Sequence, residues 1–567
     1  MDWVSEYDVS LKFKTRWLKL DKDDGTKVVM AREIAVYYQA SDGIRVDLQK
    51  IKAVLEWEPP KNVIKKIALP LLLLVLILFI PILKVLFAKF VNSNGYAPAE
   101  GTIFGQILYF DYLYDYQTQV AKRLPTYRMI GLTHSEISTT DTRNIEHILK
   151  TSFNKYAKGK HLQENVSDLW GDGIFAADGD KWRQQWKLAS YEFSTRVLRD
   201  FSCSVFRKNA AKLATTISKL AMSGQVIEFQ DLFMKTALES IFKVGFGIDL
   251  NCLDWLSNQE ATTFSKDFDD ANEAVNLRFI NPLWKLKRFL NIGSEATLKK
   301  NIEIIDKFVH NIISTKKELL AMNSAPIEKD DILSRFLAES EKNPETMSTR
   351  YLRDIILNFL IAGKDTTANT LCWFFYMLCK NPTIQEKIAQ EVIDLTYSEP
   401  NDANLDDFAA TITDATIDKM HYLHAALTET LRLYPVVPWD GRCAQEDDVL
   451  PDGHKVKEGD EVFYLAYAMG RMPYIWGEDA EEFRPERWLK DGVFQPESPF
   501  KFISFHAGPR ICLGKDFAYR QMKILSIVLI RYFRFKLTDN AQDAAYRVTI
   551  TLHMKGGLHV CAFPRAI

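Results

Sequence analysis

The sequence lacks a cysteine framework. Its seven cysteines, Cys203, Cys252, Cys372, Cys379, Cys443, Cys512 and Cys561, are odd in number and scattered, and no pair stands at zinc-ligand spacing. Cys372 and Cys379 lie two helical turns apart, beyond disulfide reach. A disulfide scaffold is therefore excluded, and the cysteine-bearing part is expected in a reducing compartment. Charge of one sign is not in excess either: 72 Lys and Arg face 74 Asp and Glu, a formal net charge of -2. Nucleic-acid binding usually demands a clearly basic face, so no nucleic-acid partner is expected. No internal repeat or low-complexity tract is present. No apolar run opens the chain, which argues against a cleaved signal peptide. With 47% hydrophobic and 26% charged residues the composition is globular, and 567 residues suit one large catalytic domain with an appendage.

What the chain does have is one long apolar run. Residues 67–83 carry no charge, and apolar residues continue to Val91 around Lys84 and Lys89. Such a run spans about 25 Å as a helix, at the short end for a bilayer. Pro70 and Pro81 are tolerable in membrane helices. The expectation is a transmembrane anchor over residues 63–91, then a turn-rich hinge over 92–101. Lys61, Lys65 and Lys66 precede the run, and Lys84 and Lys89 follow it. The positive-inside balance is thus nearly even, leaning toward a cytosolic N-terminus. Residues 1–62 are polar, mixed in charge and short of a core. MDWVSEYDVSLKFKTRWLKL and GIRVDLQKIKAVLEWEPPKN resemble fragments of a gypsy-type retrotransposon polyprotein. Neither carries a protease Asp-Thr/Ser-Gly triplet or a paired-aspartate polymerase motif. The segment reads as an appendage without catalytic motifs, either a transposon-derived fusion, a gene-model error or a private N-terminal domain.

Residues 102–567 read as one domain, mainly helical, with strand-like patches at 461–466, 546–553 and the last residues. Thirty proline-free residues, 351–380, predict a long helix. Asn381 before Pro382 predicts a helix start.

The strongest signal is FISFHAGPRICLG, which places Phe505, Gly508, Arg510, Cys512 and Gly514 at the spacing Phe-x-x-Gly-x-Arg-x-Cys-x-Gly. By ordinary residue frequencies a chance match is on the order of one in ten thousand. A cysteine thiolate can ligate haem iron and push electron density toward it. Glycines let backbone approach a macrocycle closely. Backbone N–H groups in such a turn can tune the sulfur. Arg510 can pair with a haem propionate, and Phe505 can keep water from the sulfur. The other six cysteines have only the ordinary reading, small buried hydrophobes.

These residues make the chain resemble a cytochrome P-450, a haem-thiolate monooxygenase, over roughly residues 97–567. The resemblance implies the mainly α fold with small β-sheets, preceded by one transmembrane helix. Further motifs carry it. FLIAGKDTTANTL matches an Ala/Gly-Gly-x-Asp/Glu-Thr-Thr/Ser pattern at Ala362 to Thr367. There the resemblance implies a locally widened helix, with Thr366 hydrogen-bonding the oxygen being activated and Asp365 relaying protons. ETLRLYP puts Glu429 and Arg432 on one helix face, and FRPERW supplies Arg487. The family buries these three as a structural triad under the cysteine loop. In PVVPWDGR, Arg442 would meet a propionate and Val436, Val437 and Pro438 the substrate, while Asp440 and Gly441 read equally well as a plain turn. In DGDKWRQQWKLAS, Trp182 matches a family Trp-x-x-x-Arg pattern, but Trp186 stands where the arginine is usual. That departure leaves one expected propionate contact open; Arg183 and Lys187 are the alternatives, although helix geometry points them elsewhere.

The resemblance implies haem b as cofactor and insertion of one oxygen atom from O2 into a C–H bond. Electrons would come from NADPH through a separate, membrane-bound flavoprotein reductase. Lys187, Lys515 and Arg520 are candidates for the docking face, with an ordinary solvated face as the alternative. DGRCAQEDDVLPDG and the stretches around Arg487 and Cys512 look most like the fatty-acid ω-hydroxylase group. Long-chain fatty acids are then the leading substrate, with Phe359, Ala362, Val437 and Leu552 as candidate contacts. Residence in the endoplasmic-reticulum membrane follows, with membrane lipid as a partner and the catalytic domain facing the cytosol. The competing readings are a hydroxylase of sterols or xenobiotics, a haem-thiolate isomerase or dehydratase, and a non-catalytic haem-binding membrane protein. The isomerase group generally lacks the Asp365-Thr366 pair, and a transposon polyprotein fails for want of its catalytic motifs.

Overall fold

The computed structural model describes residues 61–91 and 95–565, except 132–134, 194–195, 254–258, 282, 323–330, 343–347, 397–403 and 539–543. Before residue 47 it describes five strands of three or four residues, arranged as a three-stranded sheet and a separate pair. The rest of the expected appendage, residues 1–62, lies outside the described residues, as do positions 92–94 of the expected hinge. The chain divides into two units, Met1–Ile80 and Pro81–Ile567.

Helix α1, Lys61–Val91, forms where the apolar run predicts it. Among the described residues no helix is long and apolar enough to cross a membrane. The expected transmembrane segment is therefore corrected to a helix with an apolar surface. Leu69, Leu72, Leu73, Phe79, Leu83 and Phe87 are all exposed on it, because no charge interrupts residues 67–83 to give it a polar face.

The second unit is mainly helical with small sheets, as the sequence predicts. Strands β1 (Ala99–Thr102), β2 (Thr126–Ile130), β3 (Ser135–Thr139) and β4 (Tyr156–Ala157) are joined, late in the chain, by β5 (Asp440–Ala444) and β6 (Glu461–Tyr464). Together they form one six-stranded sheet in the order β1-β2-β3-β6-β5-β4. Strand β5 pairs antiparallel with both neighbours, and its Arg442 faces Val462. The helices that matter for the site are α2 (Gly179–Phe193), α3 (Phe229–Phe246), α4 (Gln259–Leu277), α5 (Trp284–Leu290), α6 (Thr349–Leu360), α7 (Thr366–Lys380), α8 (His421–Leu433) and α9 (Lys515–Tyr532).

Helices α6 and α7 are one rod interrupted by a π-helical turn, Ile361–Asp365. The rod starts at Ser348, whose hydroxyl accepts from the Tyr351 N–H. The widening falls on Ala362-Gly363-Lys364, where glycine is a poor helix former. Glycine is also needed there for space: a Cβ at 363 would lie 2.7 Å from Ile241 Cδ1 of α3. Trp373 of α7 stacks on Tyr434 at 4.1 Å and donates its indole N–H to Leu552 O at 2.9 Å. At the far end Asn381 does not cap the following helix with its side chain. Its Nδ2 instead donates to Met377 O at 2.9 Å, closing α7, while Pro382 opens the next helix as predicted.

The expected triad assembles beneath the cysteine loop. Glu429 of α8 is fully buried. It accepts from Arg432 at 2.7 and 2.8 Å, from Arg487 at 3.4 Å, from Trp488 Nε1 at 2.8 Å and from the Arg484 N–H at 2.9 Å. Of the remaining guanidinium protons, Arg432 donates to Glu482 O, and Arg487 to Trp476 O, Asp479 O and the Asp479 carboxylate at 3.1 Å. Burial of such charges is tolerable only when all are satisfied. The loop itself is tied to α8 by Ser504, whose hydroxyl donates to Leu431 O at 2.9 Å.

Candidate active site

A cavity of about 400 Å³ opens between α2, the α6–α7 rod, β5 and the cysteine loop. That volume lies in the range of small-molecule sites. Cys512, Arg510, Arg442, Trp182, Phe505, Gly514, Thr366, Phe359, Ala362 and Val437 all line it. Contacts that join residues so distant in the chain depend on the tertiary fold.

Cys512 sits ahead of α9 in a turn closed by its own N–H, which donates to Phe505 O at 2.9 Å. Its surface is accessible, but what it faces is the cavity. Burial pushes the thiol up to about 11, against the pull of the Gly514 N–H. Gly508 stands behind the loop with φ +67°, and a Cβ there would lie 1.9 Å from Leu149 O. Only glycine fits that approach. Gly514 has a different role: it precedes α9, and a Cβ there would meet only Cys512 Sγ, at 4.0 Å.

Four predicted residues do not line the cavity: Gly508 and Pro438, and also Leu552 and Asp365. Leu552 is fully buried; its N–H donates to Val436 O and its carbonyl accepts from Trp373, so Ile550 and Thr551 line the wall instead. Asp365 is buried off the wall and accepts from Lys364 Nζ at 3.1 Å. Lys364 also pairs with Asp269 of α4. Burial would lower Lys364, but Asp269 and Asp365 outweigh it and hold the ammonium above its ordinary range. Thr366, on the wall, donates its hydroxyl proton to Ala362 O across the widened turn.

The cavity has one polar corner that the sequence largely conceals. Asp440 is not a plain turn. It accepts from Lys158 Nζ at 2.7 and 3.0 Å, from Arg442 at 3.2 Å and from Tyr464 at 2.6 Å. Burial alone would raise Asp440, yet Lys158 and Arg442 hold it well below the carboxylate range. Arg442 Nη2 bonds His506 Nε2 at 2.7 Å. Arg510 pairs with Asp178 at 2.8 Å and lies 4.4 Å over the Trp182 ring. Burial and the neighbouring Arg442 push Lys158 down to about 7 and Arg510 to about 10. Positive charge is thus crowded in a dry corner, the setting an anion relieves. Lys158, Asp440 and His506 carried no clear sequence signal; the only hint for His506 was its place beside Phe505 in the loop motif.

A sequence profile described as Cytochrome P450 matches residues 97–559. The chain belongs to the cytochrome P450 family. Cytochrome P450 704C1 of Pinus taeda is 49% identical over 486 residues, covering 84% of this chain and 93% of that protein. Cytochrome P450 704B1 of Arabidopsis thaliana is 43% identical, covering 83% and 94%. Cytochrome P450 86B1 of Arabidopsis thaliana is 40% identical, covering 78% and 80%. A cytochrome P450 is a haem-dependent monooxygenase of lipophilic substrates, with haem b as cofactor and electrons from NADPH through a reductase. The residues present fit haem b. Cys512 and Gly514 line the cavity floor, where the sulfur is offered, and the cationic corner suits two propionates. Arg442 Nε is buried on that wall with no partner among the described residues, a donor awaiting an acceptor.

Proposed function

We propose that this cytochrome P450 hydroxylates the terminal methyl of long-chain fatty acids while attached to the endoplasmic-reticulum membrane, its catalytic domain in the cytosol. The observation that carries the reading is the pairing of an apolar wall with a cysteine floor. Phe193, Ile241, Phe336, Phe359, Val436 and Val437 surround the cavity on the side of the widened turn. An alkyl chain buried there leaves water at a gain of about 25 cal/mol per Å². The stretches that look like fatty-acid ω-hydroxylases favour that chain over a sterol.

One oxygen atom of O2 enters the terminal C–H bond to give an alcohol. The other leaves as water with two protons and two electrons, the electrons arriving through the reductase. When bound, the haem supplies the reductive activation of oxygen. Cys512 gives it a sulfur ligand, and Phe505 keeps water off that sulfur. Arg442, Arg510 and Trp182 hold the propionates. Thr366 holds a proton at Oγ1 on the cavity wall. Asp365, next to it in the chain and paired with Lys364, is the residue assigned to relay protons to Thr366. The triad of Glu429, Arg432 and Arg487 keeps the loop in place. Of the basic residues assigned to reductase docking, Lys187 is exposed, Lys515 lies over the Phe505 ring and Arg520 pairs with Asp414; Lys187 is the best placed. Palmitate added to the purified protein is expected to give a type I optical shift and, with reductase and NADPH, its ω-hydroxy product. Absence of both, with a sterol giving both, would overturn the fatty-acid assignment.

Residues 1–62 are an appendage outside the catalytic domain, and α1 is the membrane attachment. A helix without a polar face is stable in lipid rather than in water. Around α5, Leu286, Phe289, Leu290 and Ile292 are exposed beside Lys285, Lys287 and Arg288, a mixture suited to a headgroup boundary. Protease added to intact microsomes is expected to digest the catalytic domain. Protection until detergent is added would contradict the cytosolic orientation.

A further inference from the structure

Lys364 fills the variable position of the motif at Ala362 to Thr367, and the reaction described above gives it no role. It belongs to the π-helical turn that widens the rod, a feature found often at functional sites. Lys364 and Asp365 stand between Gly363 and Thr366, which line the cavity, yet neither lines it. The Lys364 side chain is 1% exposed and its ammonium meets two carboxylates. One is Asp365, at 3.1 Å and itself 4% exposed. The other is Asp269 of α4, whose side chain keeps 35% of its surface exposed. The ammonium also lies 5.7 Å over the ring of Phe268 on α4. Helix α4 is a wall of the cavity. Asn276 stands two turns beyond Asp269 on the same face and lines the cavity, as does Phe279 just past the helix. One buried ammonium therefore joins a helix that bounds the substrate space to the carboxyl group next to Thr366. A cation shared between two anions divides its attraction according to both distances. The seat of α4 thus sets how firmly Asp365 is held, and a buried carboxylate left without its cation is strongly disfavoured.

We propose that Lys364 is a positioning residue for proton delivery, linking the seat of α4 to Asp365. The role rests on the proton relay assigned to Asp365, not on the fatty-acid substrate. Lys364 does not line the cavity, so it acts through Asp365. Residues that act as one unit give no further loss when both are removed.

The test is steady-state hydroxylation by the full-length holoprotein with reductase and NADPH, using whichever of palmitate and a sterol gives the type I shift. Lys364→Met is expected to lower kcat about tenfold, to leave KM unchanged and to enlarge the solvent deuterium isotope effect. Asp365→Asn is expected to lower kcat at least as far, and the double variant to be no slower than Asp365→Asn alone. A further loss in the double variant would overturn the proposal, because Lys364 would then serve the fold rather than Asp365. Wild-type kcat in Lys364→Met beside a slow Asp365→Asn would overturn it and leave the relay standing. Wild-type kcat in Asp365→Asn would overturn the relay, and the proposal with it. Lys364→Arg keeps the cation and is expected to recover most of kcat; no recovery would equally count against the proposal. If Lys364→Met does not accumulate, Asp269→Asn takes its place in the same comparison. Amide hydrogen exchange over residues 259–277 is the second readout. It is expected to be faster than in the wild type for Lys364→Met and Asp269→Asn and unchanged for Asp365→Asn. Wild-type exchange in the first two would overturn the link to α4.

Discussion

Glu429→Gln is expected to cost about 3–5 kcal/mol of folding stability. Glu429 is fully buried and balances two guanidinium groups, Arg432 and Arg487. Glutamine keeps the shape and one acceptor but leaves Arg432 without its counter-charge and Arg487 with Asp479 alone, at 3.1 Å. It also turns an amide N–H₂ toward a donor, either Trp488 Nε1 at the Oε2 position or the Arg484 N–H at the Oε1 position. Domains are stable by only about 5–15 kcal/mol, so the loss removes a large fraction of the margin. The effect is expected to reach the site, because Ser504 hangs the cysteine loop on the Leu431 carbonyl of α8. Thermal unfolding and haem content are the measurements. The variant is expected to melt several degrees lower and to be purified with little haem; an unchanged melting temperature with full haem content would contradict the structural role of the triad.

Cys512→Ala is expected to abolish turnover while sparing the fold. The substitution removes one sulfur atom whose surface faces a cavity, so little packing is lost. The turn is held by backbone, Cys512 N–H to Phe505 O and Ala518 N–H to Gly514 O, and alanine keeps both bonds. What goes is the one cysteine sulfur on the cavity wall among the described residues. A free thiol here is pushed up to about 11 by burial, and metal ligation is what deprotonates such a group. The sulfur also precedes α9, whose N-terminal end favours negative charge. Product formation with reductase and NADPH is the readout, beside circular dichroism for the fold. Turnover that survives in Cys512→Ala would remove the reason for every other assignment in the loop.

How far the site was legible in the sequence depended on whether a residue's role is local. The Phe505–Gly514 turn is local, so its spacing was legible; its closing bond from the Cys512 N–H to Phe505 O, and the packing of Gly508 against Leu149 O rather than toward the cavity, were not. The long rod was legible in thirty proline-free residues, and its widening through the family pattern at 362–367. The triad was half local, with Glu429 and Arg432 one turn apart on α8. Asp440 was misread as a possible plain turn because its partners, Lys158 and His506, come from elsewhere in the chain. Leu552 was one and two residues from the true wall, Thr551 and Ile550, since no periodic pattern marks which face of an irregular segment looks inward. Asp365 was placed beside the oxygen site by motif alone; its pairing with Lys364, and through it Asp269, draws it off the wall. The apolar run gave a helix, but helix formation and bilayer crossing are separate properties, and only the first is encoded by the run itself.

Ligation of haem iron by Cys512 is the claim on which site, cofactor and reaction all depend. The most direct measurement is the carbon-monoxide difference spectrum of the reduced, full-length protein. A Soret band at about 450 nm is expected for thiolate ligation. A band at about 420 nm in protein that is folded and catalytically competent, the position of a haem without a thiolate ligand, would contradict it.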